Sequence, residues 1–414
     1  MIQNPNSMRK STARMMRVAM VVFAYYPADI RVRREAEALV EAGISVDIFC
    51  LKGKSEARKE IVDGVQVYRF PLRRKRSRKL RYMWEYCCFI SLSFLFLSIL
   101  FIYKRYKIIH VHNMPDLLVF SSFLPRLCGS KLILDLHDPM PEVYMAKYSI
   151  KSSHLIISLL IFLEKLSIWF SDFVITPNIA FRNLFISRGC PKSKIQIVMN
   201  SPDEKIFSCS WREYEKKKID NDEFRIMYHG TITERNGLDL AVEALNMLRN
   251  KIPNISFHVY GEGDFVEYFL KLVKKLNLDD IVHYHGQVAP ETIAREIELI
   301  DVGLIPNKKN PFTNINMPTR IFEYLCKGKP VIVPRTKGIL DYFDEESLCF
   351  FEPGSVDKLA EKIIDVYNNP ARCHDILARG ISVYKKYRWE LQRQHLLKLV
   401  TRLLGLETRQ NKKV

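Results

Sequence analysis

From Arg17 to Pro334 the chain alternates short apolar runs with longer stretches of helical period, and this alternation limits the possible folds more than any other feature. RVAMVVFAY (17–25), SVDIFCL (45–51), 65–70, 107–113, KLILDLH (131–137), FVITP (173–177) and KIQIVM (194–199) read as strands covered on both faces. Gly43, Gly129 and Gly189 stand where the intervening helices need C-caps. The pattern breaks at NSPDEKIF and the charged stretch WREYEKKKIDND, which together span 200–222 and read as a linker. A second alternation follows: FRIMYHG (224–230), helix 237–249, ISFHVYG (255–261), helix 264–276 and IVHYHG (281–286). Helix 290–299, VGLIP (302–306), helix 318–327, PVIVP (330–334) and helices from 355 complete it.

Such βαβ order predicts α/β architecture: two Rossmann-like, doubly wound parallel-sheet domains, with ligands at the carboxyl ends of the strands in the cleft between them. The predicted division is an N-terminal extension (1–16), a first domain (17–203), a second domain (204–384) and a C-terminal segment (385–414). That last segment is expected to be a helix packing back on the first domain, followed by a basic tail. With 48% hydrophobic and 27% charged residues, 414 residues supply ample material for two cores and exclude a disordered chain. Nine cysteines without a CxxC spacing support neither a zinc site nor a redox pair. Their odd number, with no secretory leader apparent in the first sixteen residues, suits a reducing cytosol.

Charge narrows the partners. The net charge is +18, and half of it falls between Arg73 and Lys107, where ten basic residues face one acid, Glu85. Inside that stretch Tyr86 to Tyr103 is uncharged and rich in Phe, Leu and Ile, just long enough to be weighed as a membrane span. The strands on either side must share one sheet, so 80–103 reads instead as a crossover helix. Either it is an ordinary packed helix with solvated ends, or its basic-apolar face rests on an anionic membrane surface through 73–107, with 155–163 on the same face. No stacking module or recognition helix accompanies the basic run, so nucleic acid is not an expected partner.

Four segments in order carry a family resemblance: ADIRVRREAEALVEAG (28–43); the pair HNMPD (112–116) and LDLHDPMPE (134–142); YHGTITERNGLDLAVEAL (228–245); and MPTRIFEYLCKGKPVI (317–332). Together they resemble the retaining family-4 glycosyltransferases of the GT-B fold, over about residues 17–370. The resemblance implies an enzyme of hexosyltransferase type. It would move a sugar from a nucleotide diphosphate, expected to be UDP, with retention and without metal or other cofactor. A lipid-linked or saccharide acceptor, cell-surface polysaccharide assembly and a cytoplasmic, membrane-peripheral location are the corresponding expectations. It also implies roles: His137, Arg235 and Glu323 in catalysis; Gly230, Thr231, Gly261, Met317, Pro318, Thr319 and Arg320 around the donor. Asp29, Arg31, Asn113, Asp116 and Asp138, placed on loops at one sheet end, are assigned to acceptor or phosphate, and Asn200 to a hinge-side contact.

The chemistry agrees with those residue types. Negative charge grows on a departing diphosphate, and preorganised cations and amides stabilise it. Gly230 ends a strand, Thr231 to Gly237 leads into a helix, and Arg235 adds a bidentate cation. The amides of Met317 to Thr319 precede another helix, whose Glu323 is either a ribose-hydroxyl acceptor or an ordinary i,i+4 partner of Lys327. Two departures from the family pattern stand out. Thr231 and Asn236 occupy the usual Arg and Lys places, and Ile315 occupies the place of the first motif acid. A non-catalytic partner on the same scaffold is therefore one alternative, and a nucleotide-sugar 2-epimerase, which shares the two-domain architecture, is the other. The reading requires 230–237 and 317–320 to lie side by side on the gap.

Other signals are set aside. Asp220-Asn221-Asp222 has a DxD form but falls in the linker, and His110 and His112 share a strand face without an apparent third ligand. Gly261 and Gly263 read as a tight turn near the nucleotide. AYYPAD (24–29) lacks a dinucleotide fingerprint, which argues against a dehydrogenase.

Overall fold

Strand β1 (Arg17–Tyr25) sends Ala19, Val21 and Phe23 into one core and Val18, Met20 and Val22 into another, so the sheet around it is covered on both sides. The structure is a computed structural model that describes residues 16–72, 79–209 and 223–405. The basic run 73–78, the DxD at 220–222, residues 1–15 of the extension and the tail from 406 lie outside the described residues.

The first lobe continues through α1 (Ile30–Glu41), β2 (Ser45–Leu51), β3 (Lys59–Val62), β4 (Val65–Phe70) and α2 (Lys79–Lys104). Then come β5 (Ile108–His112), α3 (Phe123–Leu127), β6 (Lys131–Asp135), α4 (Met140–Tyr148), α5 (Leu155–Phe170), β7 (Phe173–Thr176), α6 (Ile179–Ser187) and β8 (Ile195–Ile197). Among the described residues its sheet runs β3-β4-β2-β1-β5-β6-β7-β8. Every pair is parallel except β3 against β4, a hairpin absent from the sequence expectation because KEIV is half polar. Since β4 and β5 belong to one sheet, α2 is the crossover between them. It buries Phe89, Leu97 and Phe101 and leaves Trp84, Leu95, Ile99 and Ile102 exposed.

The second lobe holds β9 (Phe224–His229), α7 (Leu238–Leu248), β10 (Ile255–Tyr260), α8 (Val266–Lys275), β11 (Val282–Gly286), α9 (Pro290–Glu298) and β12 (Val302–Leu304). α10 (Thr319–Cys326), β13 (Val331–Pro334), α11 (Lys337–Leu340), β14 (Cys349–Phe351), α12 (Val356–Asn368), α13 (Pro370–Lys385) and α14 (Trp389–Leu403) complete it. The sheet order is β11-β10-β9-β12-β13-β14, all parallel.

Three features join the lobes. Helix α14 returns to the first lobe, where Leu396, Leu399 and Val400 enter the core that holds Val18, Met20 and Val32. Phe312 and Ile315 of the second lobe pack in the first lobe's other core, with Phe312 near Phe181 at 6.1 Å between ring centroids. The amide of Ile179 donates to the Tyr342 hydroxyl at 2.8 Å.

Candidate active site

On the first lobe, β5 and β6 end beside α1. The predicted strand 131–137 stops at Asp135, which leaves His137 and Asp138 on the turn beyond it. Arg31 is not on a loop, as expected, but in the first turn of α1, and it points inward. Its guanidinium grips Asp135 with two bonds, 3.0 and 2.5 Å, and lies 3.2 Å from Glu35. His137 Nε2 lies 2.9 Å from Asp135 Oδ2 and 3.1 Å from His112 Nδ1. Burial works to raise the Asp135 pKa, but Arg31 and His137 together hold the carboxylate well below its usual range. Burial likewise opposes charge on His137, yet Asp135, by charge and hydrogen bond, carries its pKa above the ordinary value. With Nε2 committed to Asp135, Nδ1 is the nitrogen left for a ligand.

The acceptor assignments change in kind here. Asp29 caps α1, its Oδ1 accepting from the Val32 amide at 3.2 Å. Asn113 is buried and braces the loop: its Nδ2 donates to Asp116 Oδ1 and to the Asp138 carbonyl, both at 2.9 Å, and its Oδ1 accepts from the His137 amide at 2.8 Å. Asp116, equally buried, has its pKa pushed up to about 6 by burial. Arg31, Asn113 and Asp116 thus hold His137 and Asp138 in place from inside, because each spends its polar atoms on the protein itself.

On the second lobe, Gly230 (φ +121°) and Gly261 (φ +138°) let two strand ends touch. A Cβ at Gly261 would fall 1.9 Å from the Gly230 carbonyl oxygen, and one at Gly263 1.9 Å from that of Ile232. The 230–237 turn closes through Gly237, a left-handed residue at the start of α7. Asn236 does not replace the family lysine: its amide donates to the Tyr228 hydroxyl at 3.1 Å and to the Thr231 carbonyl. Arg235 lies over the Phe312 ring, 4.9 Å from its centroid, and its carbonyl accepts from the Lys308 amide at 3.0 Å.

Helix α10 is locked against that turn. Tyr324 donates to the Met227 carbonyl at 2.9 Å, and Gly303 clears the room for its ring. Arg320 stacks over Tyr228 and donates to the His229 carbonyl at 2.7 Å, directly before Gly230. Met317 and Pro318 are buried at the helix entry, with Thr319 beginning the helix. Pro318 has no N–H, so only Met317 and Thr319 can offer amides there. Glu323 does not pair with Lys327, whose ammonium binds Glu298 at 2.8 Å. Instead Glu323 Oε2 lies 3.4 Å from His229 Nε2, and burial raises its pKa to about 7 against the pull of Arg320 and Arg34. The 230–237 and 317–320 stretches are therefore neighbours, as the reading requires.

Charges from the two lobes meet. Burial raises the Asp138 pKa, while His137 and, from the other lobe, Arg235 lower it. Arg34 of α1 donates to Asn200, lies over Trp389 at 4.8 Å and is felt by Glu323.

Sequence reasoning missed Asp135, Glu35, Arg34 and His229. Two had a signal: Asp135 is a carboxylate two residues before His137 in one apolar run, and Glu35 is i+4 from Arg31. His110 and His112 do have the neighbours that the sequence hides. Glu35, His110, His112 and Asp135 offer ligand atoms within 4.8 Å of one another, and the cation seated among them is the Arg31 guanidinium.

Comparison with known proteins places both lobes. A family model described as a glycosyl transferase 4-like domain matches residues 28–201, and one described as glycosyl transferases group 1 matches 210–382. The chain is 25% identical over 389 residues to the uncharacterized glycosyltransferase MJ1607 of Methanocaldococcus jannaschii, covering 91% of this chain and 95% of that one. It is 22% identical over 226 residues to the amylovoran biosynthesis glycosyltransferase AmsK of Erwinia amylovora, covering 54% of each. The solved structure of Anabaena HepE in complex with UDP-glucose superposes with a TM-score of 0.69 at 14% identity, over 93% of this chain and 99% of that one. The fold is GT-B. Two glycosyl transferase models account for the two lobes in the order in which their sheets occur, and the chain belongs to the glycosyltransferases.

Proposed function

We propose that the protein transfers a sugar from a nucleotide-diphosphate sugar, a UDP-sugar, with retention of configuration onto a lipid-linked saccharide at the cytoplasmic membrane surface, in polysaccharide assembly. The observation that carries this reading is the meeting of Arg235 and the α10 entry on one lobe with His137 and Asp138 on the other. A diphosphate lying along the 230–237 turn faces Arg235, and the ribose hydroxyls reach Glu323. His137 then presents Nδ1 to the sugar or to the incoming hydroxyl. Arg235 stabilises charge as it develops on the leaving group, and no step is assigned to a metal. UDP-glucose in the HepE complex and the biosynthetic role in the AmsK name support the donor and the setting.

The lipid side of the proposal rests on one face of the first lobe. Helices α2, α3 and α5 and the 116–122 turn adjoin there. They expose Trp84, Leu95 and Ile102, then Phe123 and Leu127, then Leu155, Leu159, Phe162 and Trp169. Scattered exposed apolar residues need no explanation, but this many on adjoining helices, next in sequence to a basic run, suit an anionic bilayer. Neutralising Arg73, Arg74, Lys75 and Arg76 should release the protein from anionic vesicles; unchanged binding refutes this part.

A thermal-shift panel tests the donor class: UDP should raise the melting temperature and NAD should not. Arg235→Ala should lower kcat/KM about 100- to 1000-fold with an unchanged melting temperature. Activity that survives this change argues for a non-catalytic role of the turn. Product anomeric configuration, read by NMR, tests retention, and donor turnover without acceptor would favour epimerisation.

A further inference from the structure

Cys209 and Cys326 are 117 positions apart in sequence, yet their sulfurs lie 2.8 Å apart. Cys326 is the last residue of α10 and fully buried, with its thiol also 2.8 Å from the Phe207 carbonyl. Cys209 is half-buried, at the end of the segment that leaves the first lobe at β8 and packs Phe207 into the second lobe's core. A disulfide bond is about 2.05 Å long, so the sulfurs need close by only about 0.8 Å.

We propose that Cys209 and Cys326 are a redox modification site, at which hydrogen peroxide converts the two thiols into an intramolecular disulfide. The partly exposed Cys209 is the attacking sulfur; its pKa is lowered chiefly by the hydrogen bond from the Cys326 thiol. It takes one peroxide oxygen as a sulfenic acid, and the first water leaves. The Cys326 sulfur then attacks the Cys209 sulfur, the S–S bond forms, and the sulfenic oxygen departs as a second water with the remaining thiol proton. Two thiols are oxidised by two electrons and one peroxide is reduced. A sensor cysteine of this type is accessible and stands next to its resolving partner, whereas a structural buried thiol is inert. Cys349 and Cys373 are the internal comparison, since both are buried. The bond would tie the segment between the lobes to the helix that carries Arg320 and Glu323, and thiol reductants would release it.

The test uses the full chain with Cys87, Cys88 and Cys128 replaced by Ser, so that the other thiols that are not buried do not compete. After hydrogen peroxide and then alkylation under denaturing conditions, a digest made without reductant should yield one peptide joining 209 to 326. It should weigh two hydrogens less than the sum of its parts, and Cys349 and Cys373 should be alkylated. The oxidised protein should melt at a higher temperature, and dithiothreitol should reverse both changes. Cys209→Ser and, as a second variant, Cys209→Ala should abolish the peptide and leave Cys326 alkylated. Alkylation of both Cys209 and Cys326 after peroxide, or oxidation of Cys209 beyond the sulfenic acid with Cys326 still a thiol, overturns the proposal. These readouts need no substrate, so they stand apart from the transferase reading.

Discussion

Glu323 and Asp135 are both carboxylates at the cleft, and their surroundings drive them in opposite directions. Burial raises Glu323 to about 7, whereas Arg31 and His137 overcome the burial of Asp135 and keep it ionised. In the folded protein Glu323 holds its proton to a higher pH than in the unfolded chain. Its contribution to stability is therefore complete below the unfolded pKa of 4.5 and lost as pH rises towards about 7. Donor binding should run the other way, because only the ionised carboxylate accepts from two ribose hydroxyls. Affinity for UDP should rise between about pH 5.5 and about pH 8.5 while the urea midpoint falls, and Glu323→Gln should flatten both trends. Asp135→Asn should behave differently. It leaves the buried Arg31 without its main partner and should cost about 3–5 kcal/mol in urea unfolding. It should also shift the acid limb of the activity profile by lowering the His137 pKa. Of this site, Arg235, Glu323 and His137 were singled out from motifs, because His137 and Arg235 follow strand ends and Glu323 follows the start of a helix at Pro318. Asp135 and Glu35 were not singled out: Asp135 at the end of an apolar run reads as an exception until Arg31 is seen across from it, and Glu35 is one of several charges on α1.

At the scale of elements, nearly every strand and helix was legible, since burial on both faces writes continuous apolar runs. The misses have physical causes. KEIV (59–62) has too little apolar character to signal the edge strand β3, and CFF (349–351) is too short to be distinguished from a core loop. The predicted strands 107–113, 131–137 and 173–177 run one or two residues past the observed C-terminal ends at His112, Asp135 and Thr176, because Asn113, His137 and Pro177 already belong to the loops that follow. Close approach of strand ends was legible only as glycine. Gly261→Ala would put a methyl group 1.9 Å from the Gly230 carbonyl oxygen at a left-handed φ. The β9–β10 end would have to separate, so UDP affinity should fall at least 10-fold alongside a lower melting temperature. Calorimetry and a thermal melt on the same sample check both.

For the whole molecule, domain organisation by sequence order is only partly the organisation in space. The second lobe sends Phe312 and Ile315 across the gap, and Ile315 thereby packs with the first lobe in the place where the family pattern has an acid. α14 sends Leu396, Leu399 and Val400 under the first sheet, and Gln392 accepts from the Met199 amide at 3.0 Å. Leu396→Ala, in the middle of α14, should destabilise the N-terminal lobe by about 2–5 kcal/mol. Hydrogen exchange should report the loss first in β1, β2 and α1, and a loss confined to the second lobe would contradict this packing.

Helix α14 also sets the timetable of synthesis. While the ribosome is still translating residues 224–385, the earlier lobe has an uncovered apolar face around Val18, Met20 and Val198, since the side chains that seal it have not been made. The nascent lobe must wait, or be shielded, for the length of an entire second domain. Cutting the polypeptide in the 210–222 stretch therefore does not yield two self-sufficient halves: the front piece lacks its last wall, and the rear piece carries that wall with nothing to cover.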